Sequence, residues 1–184
     1  YLYNKEIRVD PQDPHDPNRD RFVLSKGHVA PGLYATLANR GFFPMDELLT
    51  LRHINARLQG YPNMNLTPGV DMSTGSLGQG ISTAVGMAKG AKYLGKDINV
   101  YTLLGDGELA EGQVWEATMF SAHYRLDNLC LTVDRTIKPS DEVRPKSLNG
   151  RSTQFLEFAL DGVKIIVYLS VRNDYIPLYT RIFG

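Results

Sequence analysis

The apolar and polar positions of this chain alternate between short β-branched runs and longer segments with helical spacing. Short apolar runs predict buried strands at 22–24, 98–104, 129–134 and 163–171. Helical spacing of apolar residues predicts helices at about 31–39, 45–58, 80–93 and 110–125. Strands that alternate with helices are typical of a mostly parallel sheet with helices on both faces. We therefore predict an α/β fold of the doubly wound type, as a single domain over residues 1–184.

The same spacing predicts which helical residues are buried. In the segment 45–58 these are Leu48, Leu49, Ile54 and Leu58. The helical pattern that follows the glycine turn at 105–107 consists of Leu109, Val114, Trp115, Ala117, Met119, Phe120 and Ala122. Small residues dominate the segment 80–93, which indicates close approach by another helix or by a ligand, and both can hold. Residues 1–20 predict a surface loop, and residues 155–160 predict the end of a helix.

Composition narrows the class of protein. Twenty basic and twenty acidic residues leave no net charge, so nothing favours binding to nucleic acid or to an anionic membrane. No apolar stretch is long enough to span a membrane. The single cysteine, Cys130, is predicted to be a buried strand residue and fits a reducing, cytoplasmic location. The chain has no initiator Met and no signal pattern, so we expect it to begin inside a longer one.

The turn Gly105-Asp106-Gly107 lies between a predicted strand and a predicted helix. Ligands bind at such turns in open α/β sheets, where glycines and a helix N-terminus favour phosphate oxygens. A carboxylate beside a phosphate requires a hard cation between them, so Asp106 indicates a diphosphate bridged by Mg²⁺. The alternative is a plain Asp-Gly hairpin turn, but a helical pattern rather than a second strand follows it.

A second strand, glycine turn and helix surrounds Ser25-Lys26-Gly27-His28. His28 at the tip could donate a hydrogen bond to a phosphate or a polar substrate, or it could simply cap the following helix. A third glycine-rich segment, 72–80, opens the small-residue helix.

Three stretches together resemble the transketolase family. The sequence GDGELAEGQVWEA at 105–117 resembles its thiamine diphosphate motif, especially in the split bacterial and archaeal type, whose cofactor-diphosphate domain is a separate N-terminal subunit. DRFVLSKGH at 20–28 and GVDMSTGSLGQG at 69–80 resemble the same family and occur in the same order. The resemblance extends from about Tyr3 to Asp134, and 135–184 have no counterpart.

The resemblance implies transfer of a two-carbon ketol unit between sugar phosphates, with thiamine diphosphate and Mg²⁺ or Ca²⁺ as cofactors. It implies catalytic roles for His28 and Glu111, and a place for Glu111 in an acidic network between two active sites. Glu116 could join that network or be a solvated surface charge. The implied cofactor-binding residues are His28, Gly75, Ser76, Leu77, Gly105, Asp106 and Gly107, with Asp106 also a metal ligand.

Two positions depart from the family pattern. Tyr61 stands where transketolases have a histidine that contacts substrate hydroxyls, and tyrosine does not take up a proton at neutral pH. Thr136 stands in place of a metal-ligating asparagine, and Lys138 in place of a residue that ligates through its carbonyl. Either the metal site is degenerate, or the sequence omits a segment after Asp134 or Arg135. The abrupt change of character there favours omission.

The resemblance also implies partners. The glutamate that activates the cofactor lies on the pyrimidine-binding domain, so we expect no activity from this chain alone. We expect assembly with a C-terminal transketolase subunit into a homodimer or heterotetramer. The helix at 80–93 is implied to pack at the subunit interface.

Two alternatives to this reading stay open. The first is another thiamine diphosphate enzyme, such as a deoxyxylulose-phosphate synthase or a 2-oxo acid dehydrogenase component. The segments around His28 and Gly75 argue against it. The second is a non-catalytic paralogue, and Tyr61 and Thr136 argue for it.

Overall fold

The computed structural model describes residues 2–137, 155–160 and 163–171, with side chains described as far as Asp134. The strands are β1 (Arg21–Leu24), β2 (Val100–Gly105), β3 (Leu129–Ile137), β4 (Phe155–Leu160) and β5 (Val163–Val171). The α-helices are α1 (Ala30–Arg40), α2 (Gln79–Tyr93) and α3 (Gly112–His123). A π-helical turn (Leu2–Glu6) and 3-10 turns (Gly27–Val29, Met45–Thr50, Gly107–Ala110) complete the described helical segments.

The five described strands form one sheet in the order β1-β2-β3-β5-β4. Strands β1, β2, β3 and β5 are parallel, and β4 pairs antiparallel with β5 at the edge. Leu24 is in register with Leu103, and Gly105 is in register with Asp134. The carboxyl ends of β1 and β2 therefore lie beside each other, and β3 continues past the end of β2.

Alternate residues of β2 face two different cores, as strand geometry requires. Val100 and Leu104 belong to a buried cluster with residues of α2 and α3, among them Ile81 and Val114. Tyr101 and Leu103 pack instead against a second cluster, which contains α1 and the segments around it. Helices thus cover both faces of the sheet, and the predicted α/β fold class is confirmed.

The bounds of α1 and α2 agree with the sequence predictions to within one or two residues. Pro31 lies in the first turn of α1, where a missing N–H costs nothing, and Gly41 ends the helix with φ +99°. The small residues of α2 let it approach the sheet closely, since a Cβ at Gly80 would lie 2.6 Å from Cα of Ser25. Tight packing is therefore one reason for the small residues.

The predicted helix over 45–58 is wrong. Only the 3-10 turn Met45–Thr50 forms, because Arg52 and Asn55 adopt left-handed backbone angles that a helix cannot contain. Leu58 is buried as predicted, but Leu49 and Ile54 are 80% and 93% exposed.

The helical pattern at 110–125 is confirmed as α3, and its apolar residues divide between buried and exposed positions. Val114, Ala117 and Ala122 are buried. Trp115, Met119 and Phe120 are exposed, because α3 has only one face against α2 and the sheet and these three lie outside it. Cys130 lies on β3 as predicted, but it is half-buried rather than buried.

Residues 155–160 form strand β4, not the end of a helix. Short apolar runs do not distinguish the two states, and here pairing with β5 decides for the strand. The predicted strand 163–171 is confirmed as β5. Lys138 and the stretch that follows it to Gly150 lie outside the described residues, as does the chain end at 173–184. No helix in the described part of the chain is long and apolar enough to cross a membrane.

Candidate functional site

Three turns meet at the carboxyl edge of the sheet. The turn after β1 carries Ser25 to His28, and the turn after β2 carries Gly105 to Glu108. The loop that ends at Gly78, just before α2, lies against both of them. The sequence brings these segments to one place because parallel strands align their carboxyl ends, where ligands bind in such folds.

Glu108 is the buried centre of this edge, with a side chain only 1% exposed. Its Oε1 accepts hydrogen bonds from the Ser25 hydroxyl and from the Gly78 N–H, the latter at 2.7 Å. Its Oε2 accepts from the Gly105 N–H at 3.1 Å. A buried carboxylate needs such donors, and here they come from all three segments.

Lys26 and Asp134 form an ion pair across the end of β2, with 2.5 Å between Nζ and Oδ2. The lysine side chain is almost completely buried and that of Asp134 is about two-thirds buried. The Asp134 carbonyl also accepts a hydrogen bond from the Asp106 N–H at 3.0 Å. Asp134 of β3 therefore holds the turn after β2 through its carbonyl and the turn after β1 through its ion pair with Lys26.

The Asp106 side chain is exposed at the top of β2. Its Oδ1 accepts a hydrogen bond from the Gly107 N–H at 2.8 Å. Gly107 is exposed, and among the described residues, its two chain neighbours apart, no atom lies within 4 Å of the place where a Cβ would be. The described part of the chain thus leaves the surface at Asp106 and Gly107 uncovered.

The turn after β1, the loop before α2 and the segment around Tyr61 are in close contact. A Cβ at Gly27 would lie 2.8 Å from the Gly75 N, and a Cβ at Gly75 would lie 3.1 Å from the Tyr61 ring. Burial raises the pKa of Tyr34. The Tyr34 hydroxyl lies 2.9 Å from the Gln59 carbonyl and 3.0 Å from the Tyr61 carbonyl and can donate its proton to either. Helix α1 thereby fixes Tyr61 against Gly75.

The other predicted site residues are placed as follows. His28 is exposed in the 3-10 turn before α1, and Ser76 and Leu77 are exposed in the loop before α2. Glu111 is exposed and lies beside Gly78, whose Cβ would be 2.8 Å from that of Glu111. Thr136 lies on β3, two residues beyond Asp134, in register with Ser170 of β5.

The structure places Glu116 and the predicted metal ligands as follows. Glu116 is exposed on α3 in this chain by itself. Among residues with described side chains, no group of three or more His, Cys, Asp or Glu lies close enough together to hold a metal ion. Asp106 is thus the one predicted metal ligand whose side chain is described.

Sequence reasoning missed three residues of the site, namely Ser25, Lys26 and Glu108. All three lie inside the recognised motifs, but glutamate and lysine are rarely buried, so nothing in the sequence distinguished them from surface charges. No local signal marks Glu108, because two of its hydrogen-bond donors, Ser25 and Gly78, are distant from it in the sequence.

Comparison with known proteins extends this description. The family model described as transketolase, thiamine diphosphate binding domain, matches residues 1–143. A 6-deoxy-6-sulfo-D-fructose transketolase subunit from a Clostridium species is 49% identical over 133 residues, which are 72% of this chain and 48% of that protein. One subunit of an apulose-4-phosphate transketolase from Actinobacillus succinogenes is 46% identical over 134 residues, which are 73% of this chain and 49% of that protein.

Full-length transketolases are similar too. The human enzyme is 52% identical over 134 residues, which are 72% of this chain and 21% of the enzyme. The solved transketolase of Leishmania mexicana superposes with a TM-score of 0.71 at 36% identity, covering 73% of this chain and 22% of that chain. The chain thus spans about half the length of the two subunits and about a fifth of the human enzyme.

Proposed function

Because the chain belongs to the transketolase family, as the match to its thiamine diphosphate binding domain shows, we propose that it is the N-terminal subunit of a split transketolase. In this proposal it binds the diphosphate of thiamine diphosphate through a divalent cation, and the reaction is ketol transfer between sugar phosphates. The similarity to two proteins named as transketolase subunits supports the split type.

One observation carries the proposal. The exposed Asp106 carboxylate and the open Gly107 stand at the carboxyl end of a central parallel strand, on a turn fixed from below by Glu108 and from the side by Asp134. A carboxylate at a phosphate-binding turn fits a cation-bridged diphosphate, since hard cations prefer oxygen ligands. The residues present therefore fit the diphosphate end of the cofactor.

Each residue of the edge has a role in this proposal. Asp106 would ligate Mg²⁺ or Ca²⁺, and Gly107 would offer its N–H to the diphosphate once the ligand replaces the contact to Asp106 Oδ1. His28, Gly75, Ser76 and Leu77 would line the path of the cofactor's rings and the sugar. Thiamine diphosphate itself supplies the nucleophilic carbon of the reaction.

Two predicted site residues need a narrower role. The N–H of Gly105 already donates to Glu108, so we propose that Gly105 shapes the turn and does not bind phosphate directly. Thr136, in place of asparagine, would supply the second half of the metal site. It lies on the part of β3 that continues beyond the end of β2.

The exposed apolar residues of α3 support the proposed partner. Trp115 and Met119 are 56% and 60% exposed, and Phe120 lies beside them. A cluster of large apolar side chains on one helix face is typical of an interface. We propose that a C-terminal transketolase subunit with the pyrimidine-binding domain covers this face and buries Glu111 and Glu116, and that a homodimer or heterotetramer results.

A non-catalytic paralogue is the second candidate, and Tyr61 favours it. The Tyr61 ring lies against Gly75, where a residue that contacts the substrate would be expected. Such a paralogue would keep the fold and the interface without ketol transfer.

Calorimetric titration of the purified chain with thiamine diphosphate and MgCl₂ tests the proposal. We expect saturable binding that EDTA abolishes and that Asp106→Asn weakens by about tenfold or more, since the cation loses its charged ligand. Asp46→Asn, a change at an exposed aspartate away from the site, serves as the control and should bind like the wild type. Absence of binding by the wild-type chain contradicts the proposed cofactor role and favours the paralogue.

A further inference from the structure

Glu108 is a buried carboxylate whose function the comparisons and the motifs leave unassigned. None of the ion pairs found among the described side chains includes it. Burying a charge without a counter-charge is costly unless hydrogen bonds compensate it. For Glu108, the compensation comes from the hydrogen bonds that it accepts.

The three hydrogen-bond donors to Glu108 come from the three segments that carry the predicted site residues. Ser25 lies three residues before His28, Gly78 directly follows the Gly75–Leu77 loop, and Gly105 directly precedes Asp106. The Glu108 side chain thus joins the turn after β1, the loop before α2 and the turn after β2.

The surroundings leave little freedom for another arrangement. Gly78 has φ +81°, and a Cβ there would lie 2.8 Å from that of Glu111. A Cβ at Gly80 would lie 2.6 Å from both Cα and Oγ of Ser25. The segments around Glu108 are therefore closely packed, and Glu108 is the side chain that accepts a hydrogen bond from each of the three.

We propose that Glu108 is a positioning residue that holds the three turns in register for one ligand. This inference rests on the proposed cofactor site. The charge matters because Gly78 and Gly105 offer N–H groups, which can only donate. A glutamine at this position would place its own NH₂ group against one of those donors, whichever way the amide is turned.

Glu108→Gln and Ser25→Ala test the inference, with Glu47→Gln as the matched control. Glu47 makes a surface ion pair with Arg57 and belongs to none of the three segments. Two readouts are combined, namely calorimetric affinity for thiamine diphosphate with Mg²⁺, and amide hydrogen exchange of the ligand-free chain, both well below the melting temperature.

We expect Glu108→Gln to weaken the affinity by about tenfold or more and to accelerate exchange at 25–28, 75–80 and 105–108, while the peptides of α1 stay protected. Ser25→Ala removes one of the three donors and should act in the same direction with a smaller effect. Glu47→Gln should change neither readout. A purely structural role would lower the melting temperature without changing affinity or local exchange in the folded protein.

The outcomes separate the two proposals. If the wild-type chain does not bind the cofactor, the proposed function fails, and exchange still decides whether Glu108 holds the turns. If the wild type binds and Glu108→Gln matches it in affinity and exchange, the positioning role is overturned. If Glu108→Gln does not fold, Ser25→Ala decides: unchanged exchange at Gly78 and Gly105 overturns the inference, and faster exchange supports it.

Discussion

Lys26 shows how much one residue of this site can contribute to stability. Its ammonium is buried against the Asp134 carboxylate, and loss of one partner leaves the other charge without compensation. We expect Lys26→Met to lower the free energy of unfolding by about 1–3 kcal/mol, measured by urea denaturation.

Lys92→Met is the matched control for that change. Lys92 pairs with Asp127 on the surface, and such pairs contribute about 0–1 kcal/mol. The double variant Lys26→Met/Asp134→Asn should recover part of the loss, because it also removes the unpaired carboxylate. Equal losses from Lys26→Met and Lys92→Met would show that the buried pair is no stronger than a surface one.

Tyr101 predicts a pH dependence at the alkaline end. Burial, followed by the nearby Asp20 charge, raises its pKa to about 12, from 10.0 for an ordinary tyrosine. The folded state therefore favours the protonated phenol, and that contribution is complete below pH 10 and is lost as the pH rises towards 12. Stability should fall more steeply over this range in the wild type than in Tyr101→Phe. Tyr93→Phe, at an exposed position, should keep the wild-type slope.

The structure distinguishes Gly80 from Gly86 in helix α2. A Cβ at Gly80 would collide with the Ser25 backbone, whereas in the described part of the chain, apart from the helix's own backbone and the two chain neighbours, no atom lies within 4 Å of a Cβ at Gly86. Gly80→Ala should destabilise by about 1–3 kcal/mol, because the helix must move away from β1. Gly86→Ala should stabilise by about 0.5–1 kcal/mol through helix propensity. Thermal unfolding of the two variants measures both effects, and a shift in the same direction for both would contradict this account of the packing.

At the scale of elements, the sequence predicts what local patterns decide. The strands β1, β2 and β3 and the helices α1 and α2 follow from apolar runs and from end signals such as Gly41. The helix at 45–58 fails because the left-handed angles at Arg52 and Asn55 leave no trace in the spacing of leucines. The face of α3 that carries Met119 is apolar but exposed, since periodicity cannot say whether a helix has one neighbour or two.

The candidate site also divides into a part that local patterns predict and a part that they do not. The order of strand, glycine turn and helix predicts that Asp106 and Gly107 lie at the carboxyl edge of the sheet, and they do. Glu108 could not be predicted, because its burial depends on Ser25 and Gly78, which are distant in sequence and meet it only in the folded chain. Whether Asp106 binds a metal with Thr136 stays a prediction.

The whole molecule, in our proposal, supplies the diphosphate-binding part of an enzyme and needs a partner subunit. The chain spans about half the length of the two related subunits and presents Trp115, Met119 and Phe120 to solvent. The purified chain alone should show no ketol transfer, and addition of a C-terminal transketolase subunit from the same organism should produce it. The same addition should raise the sedimentation coefficient, because the complex has a larger mass than the chain alone.

Met119→Glu tests which face the partner covers. A carboxylate in the middle of an apolar interface must lose its hydration on assembly, so we expect association to weaken by at least about tenfold while the isolated chain stays folded. Leu49→Glu, at an exposed position in the 3-10 turn Met45–Thr50, controls for the added charge and should assemble normally. Assembly of Met119→Glu with unchanged affinity would place the interface elsewhere, and ketol transfer by the chain alone would remove the need for a partner altogether.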